Sequence, residues 1–360
     1  MGLVLQRIEA KDFRSYESLV LEPDPRITVL VGPNASGKTN AMEAIQVLCS
    51  GASFRRPAWA DVVRWGSERA SLSMLAEGDG RRVETAMTVD TQGRRSYEVN
   101  GKTKRRIGEA VRLVPCVVFT PDDLGLVKDS AGRRRQAVDD LGSQLAEAYA
   151  VLKLEYEKAL RNRNAALKDG VSGPHFEVLT EVLVNRGVRL VSHRRRLLKR
   201  VVTHLQEIHE AISGGPGLEV SFVPSWQRDG VSSSDDHEAF IEHLRLKEDE
   251  ERRRAVTLTG PHRDDIIFTL DGKDARGFGS QGQQRTIALA WKLAEVRVVT
   301  EVSGQKPVLI LDDVMSELDV DRRRALTEYV GVAAQTFVTT TTTDYFEPDL
   351  IASAKVVRLT

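Results

Sequence analysis

Eight consecutive residues, Gly32-Pro33-Asn34-Ala35-Ser36-Gly37-Lys38-Thr39, constrain this 360-residue chain more than any other stretch. They fit the pattern GxxxxGK[ST] in the setting that gives it meaning, between a strand and a helix. The strand is read from Arg26–Val31. The helix is read from Gly37–Ser50, where Ala41, Met42, Ala44, Ile45 and Leu48 recur at helical spacing and Gly51 is a natural stop. Glycines let successive backbone N–H groups curl around an anion, and the helix N-terminus adds a favourable dipole. Gly32, Asn34, Ala35, Ser36 and Gly37 are therefore the candidate phosphate cradle. Lys38 is placed to reach β and γ phosphates, and the Thr39 hydroxyl to ligate Mg²⁺.

A second apolar run, Val308–Leu311, ends in Asp312-Asp313. Continuous apolar runs suit buried parallel strands, and ligands of α/β sheets bind beyond the carboxyl ends of such strands. Asp312 is the candidate Mg²⁺ ligand, and Asp313 the candidate catalytic group that orients an attacking water. Asp312 lies 274 residues beyond Lys38, so the nucleotide site is assembled from both ends of the chain around a large insertion. Alternating patterns with glycine turns over 70–100 read as antiparallel hairpins. Leu141–Lys168 and Phe176–Ile212 read as two long helices, broken by Ser172-Gly173-Pro174 and ended at Gly214-Gly215-Pro216-Gly217. Leu218–Val223 reads as a strand, Asp229–Asp236 as a polar loop and Gln335–Thr339 as a further strand. The expected organisation is an α/β domain made of residues 1–125 and 255–360, with a mainly helical lobe, 126–254, inserted between its halves.

Lys and Arg balance Asp and Glu at 52 each, which excludes a uniformly basic DNA-coating protein but not a basic patch. Residues 101–200 carry 21 basic against 12 acidic side chains, and residues 201–260 carry 6 against 12. Arg133, Arg134, Arg135, Arg161, Arg163, Arg194, Arg195 and Arg196 are the candidates for DNA phosphates. No aromatic stripe lies among them, which favours duplex over single-stranded DNA. Trp59, Trp65, Trp226 and Trp291 are expected to serve packing. Cys49 and Cys116 sit in apolar runs, which supports neither a disulfide framework nor a zinc site and fits a cytoplasmic protein. No apolar stretch reaches membrane-spanning length, so no membrane role is expected.

Asp312-Asp313-Val314-Met315-Ser316-Glu317-Leu318-Asp319 resembles the Walker B and D-loop of ABC-type ATPases, and Ser280-Gln281-Gly282-Gln283-Gln284 resembles their signature. Further stretches narrow the match. These are Phe13-Arg14-Ser15-Tyr16, Gly51-Ala52-Ser53-Phe54-Arg55, Phe119-Thr120-Pro121-Asp122-Asp123-Leu124 and Arg161-Asn162-Arg163-Asn164. Gly260-Pro261-His262-Arg263-Asp264-Asp265 and Ser280–Thr286 complete the set. Together they resemble the RecF family of SMC-like ABC-type ATPases over nearly the whole chain.

The resemblance implies an α/β fold: an ABC-type P-loop ATPase head, similar to SMC heads, with an inserted second lobe. It implies ATP and Mg²⁺, an ATP-dependent homodimer at duplex or gapped DNA, and work with RecR and RecO to load RecA in recombinational repair. Ser280, Gly282 and Gln283 would cap the nucleotide of a second copy, and Ser280 and Asp319 would lie at the dimer interface. Arg14 would stand beside the bound nucleotide, and Asp123 in a segment resembling the Q-loop. His262, Arg263, Asp264 and Asp265 read as a salt-bridged structural cluster. Two positions depart from the wider ABC pattern: Asp313 replaces the usual Glu, and Thr339–Thr341 stand where a switch His is expected. Both departures imply a weak ATPase whose slow hydrolysis serves as a release timer, and the resemblance implies that DNA stimulates it. A transporter ATPase would carry the Glu and the His and lack the basic lobe. A minimal SMC-like DNA clamp without a mediator role is the alternative function.

Overall fold

A computed structural model describes residues 2–104, 113–214, 217–227, 235–330 and 335–359. Gly215-Pro216, most of the expected polar loop 229–236 and the basic residues of 105–112 lie outside the described residues. The chain forms two compact units, Met1–Leu124 with Ala288–Thr360, and Gly125–Ile287.

In the first unit, β1 (Val4–Phe13), β2 (Tyr16–Leu21), β4 (Arg69–Gly78), β5 (Arg81–Asp90), β6 (Arg95–Val99) and β7 (Lys102–Lys104) form an antiparallel sheet, ordered β2-β1-β4-β5-β6-β7. A parallel sheet holds β3 (Ile27–Val31), β8 (Cys116–Phe119), β12 (Val308–Asp312), β13 (Gln335–Thr340) and β14 (Lys355–Arg358), ordered β14-β3-β13-β12-β8. Helix α1 (Lys38–Ser50) buries Ala41, Met42, Ala44, Ile45, Val47, Leu48 and Cys49 in one core with residues of both sheets. Each fully buried Met, Ile or Leu there contributes about 1.5–3 kcal/mol relative to exposure. The Gln335 amide joins the sheets: it donates to Leu5 O at 3.0 Å and Asp24 O at 2.8 Å and accepts from Leu5 N–H at 2.9 Å.

The second unit contains α2 (Ala131–Leu145), α3 (Glu147–Lys168), α4 (Pro174–Ser213), α5 (Asp236–Leu246), α6 (Glu248–Arg254) and the short α7 (Ala275–Phe278). It also contains a small sheet of β9 (Leu218–Val223), β10 (Asp265–Leu270) and β11 (Lys273–Asp274). The unit boundary falls within α8 (Gln281–Ser303), whose residues Ile287–Leu289 and onward to Val299 are largely buried. Helices α9 (Val320–Val330) and α10 (Pro348–Ala352) complete the first unit.

Three features differ from the sequence reading. The helix expected over Leu141–Lys168 is broken at Ala146, which is extended at φ −144° and ψ 126°. Contacts across the break accompany it: the Tyr149 ring folds back over Gly142, where a Cβ would come within 2.7 Å, and its hydroxyl donates to Asp139 Oδ1 at 2.6 Å. The second unit runs to Ile287 and not to 254, because β9 pairs along its length with β10 and keeps residues 265–270 in that unit. Trp65 does not pack; it is 97% exposed. Trp226 and Trp291 are buried, and Trp59 is half-buried beneath the Arg95 guanidinium. No helix among the described residues is long and apolar enough to cross a membrane.

Candidate nucleotide site

Strand order builds this site. β13 lies between β3 and β12, all parallel, so Val31, Thr340 and Asp312 approach one edge of the sheet together. The glycine loop leaves β3 at Gly32 and enters α1 at Lys38. Its backbone is shaped for close approach: Ala35 has φ 68° and Gly37 φ 93°. A Cβ at Gly32 would come within 2.6 Å of both Leu359 O and Ser36 Oγ, and one at Gly37 would come within 2.8 Å of the Tyr16 hydroxyl. Tyr16 donates to Gly37 O at 3.1 Å and braces the turn from outside. Ser36 Oγ is buried with no hydrogen-bond partner among the described residues. The Lys38 ammonium folds into the loop, donating to Gly32 O at 2.9 Å and Pro33 O at 3.0 Å. An orphaned hydroxyl, a curled backbone and a buried ammonium are the groups a phosphate chain uses.

The Thr39 hydroxyl donates to Asp312 Oδ1 at 3.1 Å, although the two residues are 273 apart in sequence. Thr339, near the end of β13, bridges the two aspartates. Its hydroxyl donates to Asp312 Oδ1 at 2.8 Å and accepts from the Asp313 N–H at 2.8 Å. Asp313 stands in the left-handed region at φ 52°, ψ 22°, and the Thr339 hydrogen bond holds it there. Burial pushes the Asp312 carboxyl up from the ordinary carboxylate range. The Thr339 hydroxyl opposes that shift, the Asp313 charge adds to it, and the Thr39 hydroxyl and the Arg55 charge oppose it. A hydroxyl beside a strand-end carboxylate is a donor set that fits Mg²⁺ bound through oxygen.

Arg14 does not point freely at this loop. Its guanidinium grips Glu43 on α1, with Nε–Oε2 2.9 Å and NH2–Oε1 2.7 Å, and donates to Asp61 O at 3.0 Å. Glu43 is fully buried and also accepts from Ser53 Oγ at 2.6 Å, with Arg55 NH1 3.4 Å away. Arg55 NH1 donates to Asn40 Oδ1 at 2.8 Å. The site read from the sequence omits Thr339, Glu43 and Arg55. Arg55 has a signal there, since it closes one of the family-like stretches. Thr339 has one too, as the first of the three threonines that stand where a switch His is expected, while Glu43 carries no local signal. Asp123 accepts from Thr120 N–H at 2.8 Å and stands 3.6 Å from the Lys292 ammonium.

The signature-like residues belong to the second unit. Ser280 and Gln283 form a reciprocal capping box at the start of α8: Ser280 N–H donates to Gln283 Oε1 at 2.9 Å and Gln283 N–H to Ser280 Oγ at 3.2 Å. Gly282 is half-buried, while Ser280 and Gln283 are exposed. Asp319 caps α9, accepting from Arg322 N–H at 3.0 Å, and pairs with the Arg322 guanidinium.

The eight candidate DNA arginines do not share one fate. Arg134 is buried against Asp265 at 2.9 Å and the carbonyls of Val127 and Asp129. Arg163 is buried against Glu251 at 2.8 Å. Arg194 is buried between Asp139 at 2.8 Å and Asp264 at 3.2 Å. These three are spent on the interior of the second unit and cannot meet a phosphate. Arg195 pairs with Asp236, and half-buried Arg135 donates to Asp264 O at 2.6 Å. Arg161 and Arg196 are exposed, and Arg133 is half-buried. The His262–Asp265 stretch joins the same polar core. Tyr156 OH lies 2.7 Å from His262 Nδ1, and Ser225 N–H donates to Asp264 Oδ1 at 2.9 Å. Burial pushes the Asp264 carboxyl up to about 6 against the pull of Arg194, and pushes the His262 imidazole down to about 4.

The family described as RecF/RecN/SMC N terminal domain matches residues 4–357. The protein described as DNA replication and repair protein RecF of Halalkalibacterium halodurans is 35% identical over 358 residues, covering 98% of this chain and 96% of that one. The chain belongs to the RecF family. The RecF of Pelotomaculum thermopropionicum is 38% identical over 350 residues, covering 95% of each chain. A solved structure described as the recombination mediator protein RecF-ATPrS in RecFOR pathway superposes with a TM-score of 0.90 at 29% identity, covering 100% of this chain and 96% of that one. A RecF-ATP structure superposes at 0.87 and 30% identity, covering 96% and 94%. An Smc head at 17% identity, covering 99% and 93%, shares the fold at a TM-score of 0.55. The architecture is therefore an SMC-like ABC-type ATPase head carrying a second unit.

Proposed function

We propose that this RecF-family chain is an ATP-switched DNA-binding mediator of recombinational repair and replication restart. The observation that carries the reading is the phosphate loop joined through Thr39 to Asp312 and Thr339, in a chain aligned nearly end to end with proteins named for DNA replication and repair. Relatives captured with ATP or ATPrS, and described within the RecFOR pathway, support ATP as ligand and RecR and RecO as partners, and the task assigned to that partnership in this reading is loading RecA. The setting is cytoplasmic, on the nucleoid.

The loop N–H groups and Ser36 Oγ receive the phosphates, and Lys38 exchanges its two carbonyl partners for phosphate oxygens. Thr39 and Asp312 are the residues that would hold Mg²⁺, which would supply charge neutralisation at the phosphates. Asp313, fixed by Thr339, orients or polarises the attacking water. Its carboxylate sits about 1.5 Å further back than a Glu would place it. That geometry supports slow turnover, below the ordinary enzymatic median of about 10 s⁻¹, and the DNA-binding reading adds that DNA stimulates it. Ser280, Gly282 and Gln283 of a second copy complete the site, with Asp319 at the same interface, so ATP closes a homodimer on duplex or gapped DNA and hydrolysis opens it.

Binding to a gapped duplex with ATP and Mg²⁺, with ADP and without nucleotide tests the reading. ATP should tighten binding, Lys38→Met and Ser280→Arg should abolish the gain, and Asp313→Asn should prolong it. Equal affinity under all three conditions would sink the switch.

A further inference from the structure

Helix α4 carries six arginines and one lysine between Glu181 and Glu207, with no carboxylate in the intervening sequence. The fold sorts them. Arg194 turns inward to Asp139 and Asp264, Arg195 pairs with Asp236, and Arg186 pairs with Glu155 at 3.2 Å. Arg189 and Arg196 are exposed, and neither is ion-paired among the described residues. With His193 and the exposed Arg200 they follow at i, i+4, i+7 and i+11, which places all four on one helix face about 16 Å long. Positive charge accumulates along that face. Burial lowers the His193 imidazole pKa, and the Arg196 and Arg189 charges lower it further.

We propose that this face of α4 is a phosphate track for the backbone of duplex DNA. The proposal rests on the DNA-binding reading above and relocates its contacts away from the arginines buried in the second unit. Exposed guanidinium forks match phosphate oxygens in pairs. Only His193 is aromatic on this stretch, and its ring stands edge-on to Tyr149 at 6.0 Å, so the face offers no stacking platform for unpaired bases. Recognition here is by charge and spacing and carries no sequence information.

The test uses the full chain with ATP and Mg²⁺ and a labelled gapped duplex, titrated between low and moderate salt. The variants are R189A/R196A and R189K/R196K, and fluorescent-ATP binding confirms that each folds. The alanine pair should weaken DNA binding and flatten the slope of log affinity against log salt by about 1.8 for each protomer on the DNA, at about 0.9 for each phosphate left unneutralised. The lysine pair should keep the wild-type slope. An alanine pair with wild-type affinity and slope overturns the track and leaves the face to an acidic protein surface. Wild-type protein that ignores DNA with every nucleotide overturns the DNA-binding reading itself.

Discussion

Thr339 uses its single hydroxyl twice, donating to one aspartate and accepting from the backbone of the next. Thr339→Val keeps the side chain's shape and leaves a buried N–H and a carboxylate oxygen short of a partner. The expected cost is about 1–3 kcal/mol in urea denaturation, with weaker Mg²⁺-dependent nucleotide binding, and Thr339→Ser should restore both. Unchanged Mg²⁺ dependence in the valine variant would show that Thr39 and the backbone position the carboxylates unaided. A larger effect belongs to Arg163. It pairs with the fully buried Glu251 and donates to Thr257 Oγ1 at 2.8 Å and Thr180 Oγ1 at 3.0 Å. Arg163→Ala strands that carboxylate, which burial already pushes towards its neutral form. Denaturation should record a loss of about 3–5 kcal/mol. Its exposed neighbour Arg161→Ala should stay within about 0.5 kcal/mol.

Helix α4 shows why a 40-residue element holds its place. Gly187 lets it approach α5: a Cβ there would meet the Phe240 ring at 2.7 Å and Pro261 at 3.2 Å. Alanine would gain about 1 kcal/mol of helix propensity. Overpacking against a fully buried ring costs about 1–3 kcal/mol, so Gly187→Ala should lower the urea midpoint. A neutral or raised midpoint would mean that Phe240 can yield. The turn beside it carries a pH dependence. His262 Nε2 lies 3.0 Å from Thr257 O and Nδ1 2.7 Å from Tyr156 OH, a pairing that suits the neutral ring. Its folded pKa is pushed down to about 4, below the 6.5 of a free imidazole. Below pH 6.5 the unfolded chain binds the extra proton first, so the histidine's contribution is full above that pH and is lost as pH falls towards 4. The loss amounts to about 3 kcal/mol. Asp264 acts oppositely, because a folded pKa of about 6 favours the native state as pH falls. The two contributions therefore partly cancel in the wild-type curve. The stability difference between wild type and His262→Gln isolates the histidine. It should shrink by about 3 kcal/mol from pH 7 to pH 4, and a constant difference would contradict the assignment.

The whole molecule has two units, and the phosphate loop belongs to the one built from both chain ends. A ligand that binds the native state alone stabilises it by mass action, about 2.7 kcal/mol at a hundredfold excess over Kd. ATP with Mg²⁺ should therefore raise the unfolding transition of that unit in calorimetry, and Lys38→Met should remove the shift. A shift that survives the substitution would place the nucleotide elsewhere.

Features made of residues adjacent along the chain were legible before folding. Gly32–Thr39 read as a phosphate loop because curl, lysine and hydroxyl lie within eight residues, and Asp312-Asp313 read as a metal and water pair because an apolar strand delivers them. The same locality made the α/β head legible, along with β3, α1, β12 and β13 to within a residue or two. Tertiary structure alone decided what each charge faces. Nothing local distinguishes Arg194, buried between Asp139 and Asp264, from Arg196 two residues on, which stays exposed. The partners of Arg194 lie 55 to 70 residues away and are set by how β9, β10 and the helices pack. Thr339 was legible only as a residue at the place of a switch His, and its bonds to both aspartates were hidden for the same reason. Its role exists because β13 runs between the strand that launches the phosphate loop and the strand that ends in the aspartates, and strand order is a property of the folded sheet.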